Sequence, residues 1–244
     1  MELSPALADD VLKGKLSLAL AERQAIQQAH QRAREHAAKA APRGCGIWTG
    51  DFREVGCKIG DGSVDLLLSD PPYDAGAVAL YGALGTLAAR VLRPGGLCVV
   101  YSGQAHLPKV MAALSQHLQY VWTCAVRFSG GRRPVGWLHL HNAWKPILIF
   151  VKPPLKVWWE PFGDMVSEGR EKGLHDWQQA ESEAIQFIEK LCPAGGLVVD
   201  PTCGSGTTLV ASKRLNRRWL GVEIDRGVAA QARQRVSAIP TTSP

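Results

Sequence analysis

Residues 196–208 run Gly-Leu-Val-Val-Asp-Pro-Thr-Cys-Gly-Ser-Gly-Thr-Thr, and this stretch decides the fold. The apolar run that ends at Asp200 predicts a buried β-strand. The glycine turn after it lets the backbone approach a ligand where a Cβ would collide. The helix that begins there presents free N–H groups suited to a carboxylate or a phosphate. A Gly-x-Gly turn alone is weak evidence, because a tight strand-to-helix turn without a ligand has the same pattern.

Short apolar runs alternate with helical segments on both sides of this stretch. Strands are predicted at residues 46–49, 64–69, 97–101, 120–128, 143–152, 196–200 and 218–223. Helices are predicted at 77–92, 107–118, 181–191 and 225–237, and one more follows the segment 201–208 and ends at about 215. Continuously apolar strands between helices indicate an α/β fold, with a mostly parallel sheet covered by helices on both faces. Such sheets bind ligands beyond the carboxyl ends of their strands.

The N-terminal region differs from the rest of the chain in composition. It is rich in Ala, Gln, Lys, Arg and Leu, which predicts helix, with a break near Gly14 and Ser17 as an N-cap. We therefore expect an N-terminal helical extension at 1–43 and a main domain at 44–238 that contains a short variable loop at 153–174. Residues 239–244 are expected to form a frayed tail.

Composition narrows the class of protein. The chain has 244 residues, of which 46% are hydrophobic and 20% charged, enough for one large core. A net charge of +6 fits a polyanionic partner, although a basic balance alone is weak evidence. The six cysteines form no CxxC pair and have no zinc spacing, so we expect reduced core thiols and no metal site. No signal peptide and no apolar run of about 20 residues is present, which predicts a cytoplasmic protein.

A second acidic residue follows the next predicted strand, about twenty residues after the glycine turn. Val222-Glu223-Ile224-Asp225 places a carboxylate where it can accept hydrogen bonds from both hydroxyls of a ribose. The glycine turn and Glu223 together predict a nucleoside with an anionic tail, and S-adenosylmethionine fits this description.

A different cluster, Ser69-Asp70-Pro71-Pro72-Tyr73, follows another buried strand. The prolines fix the chain in an extended form and set the direction of its carbonyl groups. Asp70 and a proline carbonyl offer two acceptors, which match the two donors of an exocyclic amine on a base. Holding both N–H groups makes the nitrogen lone pair available for attack. Tyr73 would stack on the base, which must be flipped out of a duplex. A Pro-Pro turn without a ligand is the structural alternative.

Together with Gly50-Asp51, these clusters resemble the amino-methyltransferases of DNA in which the catalytic motif precedes the cofactor motif. The resemblance covers residues 46–236 and implies a seven-stranded Rossmann-like fold that uses S-adenosylmethionine. It implies that Asp51 lies near the cofactor adenine and Asp70 between the cofactor and the target amine, with Pro71, Pro72 and Tyr73 completing the catalytic motif. The remaining cofactor residues that it implies are Asp200, Thr202, Cys203, Gly204, Ser205, Gly206, Thr207, Thr208, Glu223 and Ile224.

The resemblance also bears on the substrate. Aspartate before Pro-Pro is more typical of adenine enzymes, and serine of cytosine-amine enzymes, so Asp70 favours N6 of adenine. Basic residues near predicted strand ends are expected to contact DNA, either double-stranded with base flipping or single-stranded. They are Arg127, Arg132, Arg133 and Lys152, and solvated surface loops are the alternative.

The chain departs from the family pattern at three places. Thr202 stands where the family has phenylalanine, which removes an aromatic face near the cofactor. His175-Asp176-Trp177-Gln178-Gln179 replaces the usual His-Pro-Thr-Glu-Lys-Pro. The segment that usually reads the target sequence is short here, so we expect short or relaxed sequence specificity.

Several alternatives stay open at this stage. The enzyme could act on cytosine N4 or on RNA, or the chain could be a non-catalytic nucleic-acid-binding subunit of the same fold. A protein-glutamine methyltransferase is disfavoured, because its motifs usually occur in the opposite order. The residues do not decide between a monomer and a homodimer, between a bacterial and a phage origin, or whether a cognate restriction nuclease exists.

Overall fold

The computed structural model describes residues 4–22, 24–25, 28, 45–73, 75–128, 133–167 and 181–240. The strands are β1 Gly46–Thr49, β2 Val64–Ser69, β3 Leu92–Tyr101, β4 Gln119–Arg127, β5 Arg133–Val135, β6 Leu140–Asn142, β7 Trp144–Val151, β8 Met165–Ser167, β9 Leu197–Asp200 and β10 Arg218–Glu223. The helices are α1 Pro5–Leu12, α2 Phe52–Val55, α3 Val78–Val91, α4 Leu107–Ser115, α5 Glu181–Leu191, α6 Thr207–Arg214 and α7 Arg226–Ser237.

Eight of these strands form one sheet in the order β1-β10-β9-β2-β3-β7-β4-β8, and β5 and β6 form a separate hairpin. The first five strands in this order are parallel, β7 is antiparallel to both neighbours, and β8 is parallel to β4. The prediction of a mostly parallel sheet is confirmed. The expected count of seven is exceeded by β8, which lies in the stretch predicted to be loop and is too short to show a periodicity.

Both faces of the sheet are covered, which explains why its central strands are continuously apolar. On one face, Tyr81 and Leu84 of α3 join Leu67 of β2 in a buried cluster. On the other face, Phe187 and Ile188 of α5 are in a second cluster with the β2 residue Leu66. Neighbouring residues of β2 therefore point into opposite cores, as expected for a strand between two helical layers.

A buried ion pair ties three strands together at the amino edge of the sheet. Arg93 Nε donates to Asp65 Oδ1 at 2.6 Å, and Asp65 Oδ2 accepts from the Leu197 backbone N–H at 2.8 Å. Both charged side chains are almost fully buried. A strand was predicted to begin at residue 97, but β3 begins at Leu92, and this earlier part of the strand contains Arg93.

The N-terminal residues that are described match the predicted break. Ser4 caps α1, and the Ser17 hydroxyl accepts from the Leu20 backbone N–H at 3.3 Å at the start of the next helical residues, 18–22. The rest of the predicted second helix falls largely outside the described residues. Within the described part of the chain, none of the helices combines the length and apolarity needed to cross a membrane.

Candidate active site

The two sequence clusters meet at the carboxyl edge of the parallel strands. Asp200 ends β9 beside Gly221 of β10, while Thr49 ends β1 beside Glu223. Ser69 ends β2 on the other side of β9. The strand order therefore brings residues from four separate parts of the chain to one edge, as expected for ligand sites in open α/β sheets.

The glycine turn is pressed against β10. Gly204 and Gly206 have φ angles of +49° and +84°, which L-residues with side chains rarely adopt. The Cys203 N–H donates to Val222 O at 2.9 Å, so the turn runs alongside the strand. A Cβ at Gly221 would lie 2.8 Å from Cys203 Sγ, which shows how close the approach is.

Cys203 points away from the site. Its side chain is buried with Leu209 and Ala229 in the core behind the turn, and burial raises the pKa of its thiol. Thr207 and Thr208 are also buried, in the first turn of α6. Of the glycine-turn residues predicted to hold the cofactor, Thr202 is the one that lines the cavity between the glycine turn and Asp70.

Glu223 is held in place by backbone donors. Its Oε2 accepts from the Gly204 N–H at 2.9 Å, and its Oε1 accepts from the Asp225 N–H at 2.9 Å. Each carboxylate oxygen can accept further hydrogen bonds. The side chain is therefore oriented and keeps acceptor capacity for a ligand.

Asp200 forms the floor that joins the two clusters. Its Oδ1 accepts from the Ser69 hydroxyl at 3.2 Å and from the Thr202 N–H at 3.1 Å. Ser69 and Thr202 share a hydrogen bond of 2.7 Å between their hydroxyls. Burial raises the pKa of Asp200 to about 7, although hydrogen bonds from Thr208, Thr202 and Ser69 act in the opposite direction. Thr202, a departure from the family pattern, thus connects the glycine turn to the end of β2, next to Asp70.

A cavity of about 270 Å³ opens above this floor. Its lining combines predicted residues with others that the sequence patterns did not single out. It comprises Gly50, Asp51, Phe52, Arg53, Asp70, Pro72, Leu80, Pro201, Thr202, Glu223 and Ile224. Phe52 supplies an aromatic side chain to a cavity in which Thr202 offers none. Asp51 caps α2, and its hydrogen bonds with Arg53 hold its pKa below the usual range.

The motif of residues 70–73 borders the same cavity. The Tyr73 hydroxyl donates to Asp70 Oδ1, and Gly103 makes room for Tyr73, since a Cβ there would lie 3.0 Å from Tyr73 Cβ. Pro71 is buried and Pro72 is exposed toward the cavity. Asp70 and Glu223 therefore line the same cavity.

Lys145, the second residue of the antiparallel strand β7, was missed by the sequence patterns. Its Nζ lies 3.9 Å from Asp70 Oδ2 and 3.9 Å from Glu183 Oε2. Burial raises the pKa of Asp70, while the Lys145 charge and the Tyr73 hydrogen bond act in the opposite direction. A lysine in the run Ala143-Trp144-Lys145-Pro146 carries no motif, so its place in the site follows from strand pairing alone.

The predicted nucleic-acid residues are not all brought to this edge. Arg127 is exposed at the carboxyl end of β4, opposite Trp144. Arg133 begins β5, although it was predicted to lie in a loop, and Arg132 falls outside the described residues. Lys152 follows β7 at the opposite edge of the sheet, where its Nζ donates to Arg90 O at 3.3 Å. The structure therefore separates Lys152 from the site.

The cavity fits a nucleoside cofactor that carries a positive charge. Phe52, Leu80 and Ile224 provide apolar walls, Glu223 provides oriented acceptors, and Asp70 provides a carboxylate. Small-molecule sites are mostly apolar with few placed polar groups, and this lining has that character. S-adenosylmethionine combines an adenosine with a sulfonium cation, so the donor and acceptor set suits it.

Comparisons with known proteins agree with a cavity for S-adenosylmethionine. A model of the N6/N4 family, described as DNA methylase, matches residues 150–234. The type II methyltransferase M.HpaI of Haemophilus parainfluenzae is 23% identical over 224 residues, covering 73% of this chain and 69% of that protein.

Two solved structures share the fold. PvuII DNA methyltransferase, described as cytosine-N4-specific, matches with a TM-score of 0.70 and 16% identity, over 84% of this chain and 90% of that one. The complex of M1.HpyAVI with S-adenosylmethionine matches with a TM-score of 0.65 and 20% identity, over 78% of this chain and 98% of that one. The family model, the aligned relative and the shared fold agree, and together they show that this chain is similar to the N6/N4 DNA methyltransferases.

Proposed function

We propose that this protein methylates the exocyclic N6 amine of adenine in DNA, with short or relaxed sequence specificity. The observation that carries the proposal is that Asp70 and Pro72 line the same cavity as Glu223 and Thr202. A cofactor seated on Glu223 and a base held at Asp70 would therefore share one space. Bringing two reactants together in a fixed orientation supplies much of the rate of such a reaction.

Different residues of the cavity would contact the ribose, the adenine and the methionine part of the cofactor. Glu223 would accept hydrogen bonds from the ribose hydroxyls, and Phe52 and Ile224 would enclose the adenine, with Asp51 beside it. Thr202 and the turn after it would border the methionine part. When bound, S-adenosylmethionine supplies an electrophilic methyl group on sulfur.

The catalytic motif would act on the target amine by hydrogen bonding. Asp70 and the Pro72 carbonyl would accept the two N–H groups, which leaves the nitrogen lone pair free to attack. Tyr73, with 38% of its surface exposed, is available to stack on the base. No cysteine nucleophile is required, which agrees with the burial of Cys203 in the core.

Asp70 supports adenine over cytosine as the target. The resemblance associates aspartate at this position with adenine enzymes, whereas serine is typical of cytosine-amine enzymes. A fold shared with a cytosine-N4-specific enzyme keeps cytosine N4 as the second candidate. The two differ in the mass of the methylated nucleoside, so product analysis separates them.

Exposed aromatic and apolar side chains beside the motif support a nucleic-acid substrate. Trp137, 75% exposed, lies in the turn of the β5–β6 hairpin, and Trp144 is also exposed. Gln104 follows Gly103, which lies against Tyr73, and its Nε2 donates to Asn142 Oδ1 of the hairpin at 3.0 Å and to Trp144 O at 2.9 Å. Aromatic side chains beside an arginine such as Arg127 suit base stacking and phosphate contact.

The test is methyl transfer from labelled S-adenosylmethionine to plasmid DNA, followed by mass spectrometry of the nucleosides. We expect N6-methyladenine from the wild type and a loss of about 100-fold or more in kcat/KM for Asp70→Ala. Glu223→Gln should weaken cofactor binding while leaving the folded structure intact. Equal labelling by wild type and Asp70→Ala would contradict the mechanism, and N4-methylcytosine as the product would replace adenine by the second candidate.

A further inference from the structure

Lys145 occupies an unusual position for a lysine. Only 15% of its side chain is exposed, and its Nζ lies 4.5 Å from the centre of the Tyr101 ring. A buried ammonium is costly unless it is paired with opposite charge. Here two carboxylates face it, Asp70 from the end of β2 and Glu183 from α5.

The backbone explains how this lysine reaches the catalytic motif. Ile147 of β7 is paired with Tyr101, the last residue of β3. Lys145 precedes Ile147 by two residues, on the same face of the strand, and so projects just beyond the carboxyl edge where Asp70 lies. The Tyr101 ring packs against the ammonium and restricts where it can go.

Asp70 needs to be ionised to act as an acceptor, and a nearby cation favours its ionised form. Its carboxylate must accept hydrogen bonds from an amine, yet it is only 28% exposed and burial favours the neutral acid. A neutral carboxylic acid is a weaker acceptor and carries a donor of its own.

We propose that Lys145 is a positioning residue that keeps the Asp70 carboxylate ionised and aimed at the cavity, with Glu183 holding the ammonium from the opposite side. This inference deepens the proposed function and rests on it. Lys145 acts through Asp70 and does not contact the substrate.

Other groups around Asp70 also affect its charge. The Tyr73 hydroxyl donates to it and favours the ionised form, whereas the buried carboxyl of Asp200 interacts unfavourably with a charged Asp70. Tyr81, on α3, is another titratable group whose charge interacts with that of Asp70. Among these groups Lys145 is the cation, so its removal should have the largest effect on the ionisation of Asp70.

The experiment is a titration of the Asp70 carboxyl by carbon-13 NMR in the full chain, without substrate, with Asp70→Asn to assign the signal. Lys145→Met should raise the pKa of Asp70 by about one unit or more, since an opposite charge within about 4–6 Å shifts a carboxyl by that amount. The apparent pKa of the acid limb in the pH profile of kcat/KM should rise by the same amount. Lys145→Arg, which keeps the charge, should restore most of both values.

Lys58→Met is the matched control, because Lys58 is exposed and its removal changes the net charge equally. It should leave the titration of Asp70 unchanged. If Lys145→Met does not fold, Lys145→Gln carries the same measurement.

An unchanged pKa of Asp70 in a folded Lys145 variant without the charge would overturn the inference, and Lys145 would then only neutralise Glu183. Glu183→Gln tests whether Lys145 serves only to neutralise Glu183, because it removes that charge and leaves Asp70 as the carboxylate beside Lys145. Absence of methylation by the wild type would contradict the proposed function alone, because the titration needs no substrate.

Discussion

Replacing Asp200 by asparagine should make the stability of the protein less dependent on pH. Asp200 is buried at the end of β9, and burial raises the pKa of its carboxyl to about 7 from the usual 3.8. Asparagine keeps an oxygen that can accept from the Thr202 N–H and the Ser69 hydroxyl, but it does not titrate. The difference in stability between wild type and variant therefore isolates the ionisation of Asp200.

The folded protein binds the Asp200 proton more tightly than the unfolded chain does, and this sets the direction in which stability changes with pH. Between about pH 4 and pH 7 the folded protein holds the Asp200 proton and the unfolded chain has lost it, so folding is favoured at low pH. This stabilisation is fully present below the unfolded pKa and is lost as the pH rises through the folded one. A shift of about three units, at ~1.4 kcal/mol each, amounts to about 4 kcal/mol. About 2–3 kcal/mol of this falls between pH 5 and pH 8.

Urea unfolding of both proteins at several pH values between 5 and 8.5 measures this effect. We expect the free energy of unfolding of the wild type to fall relative to that of Asp200→Asn by about 2–3 kcal/mol as the pH rises. Glu189→Gln removes an exposed carboxylate and should show no such trend. A constant difference between wild type and Asp200→Asn across this range would refute the reasoning, since Asp200 would then be ionised throughout.

Three further predictions concern packing and chemistry. Asp65→Ala should cost about 3–5 kcal/mol in urea unfolding, because it leaves Arg93 buried without its carboxylate, and adding Arg93→Met should recover part of the loss. Gly221→Ala should destabilise by about 1–3 kcal/mol and weaken cofactor binding in calorimetry, because its Cβ would lie 2.5 Å from Leu209 Cδ1 and would displace the glycine turn. Cys203→Ala should retain methyl transfer in the labelling assay; abolished transfer by a folded variant would contradict direct attack by the amine.

Local patterns were sufficient for the seven longer strands and for the two chemical clusters, but not for the three-residue strands β5, β6 and β8. The apolar run at residues 197–199 and the glycines after it specify a buried strand and a tight turn through short-range preferences of the backbone. The Pro-Pro pair after Asp70 restricts its own backbone in the same way. Since parallel strands end at one edge of the sheet, the position of both clusters at strand ends also indicated that they would lie at the same edge.

The tertiary structure decided what depends on pairing between distant parts of the chain. Lys145 enters the site because β7 runs antiparallel to β3, Phe52 enters the cavity through α2, and β8 exists because Met165 lies beside Ala125. Lys152, on the same segment as Lys145, is carried to the opposite edge by the same strand. Strand register and direction arise from packing of the whole core, so a chain read residue by residue contains no local signal for them.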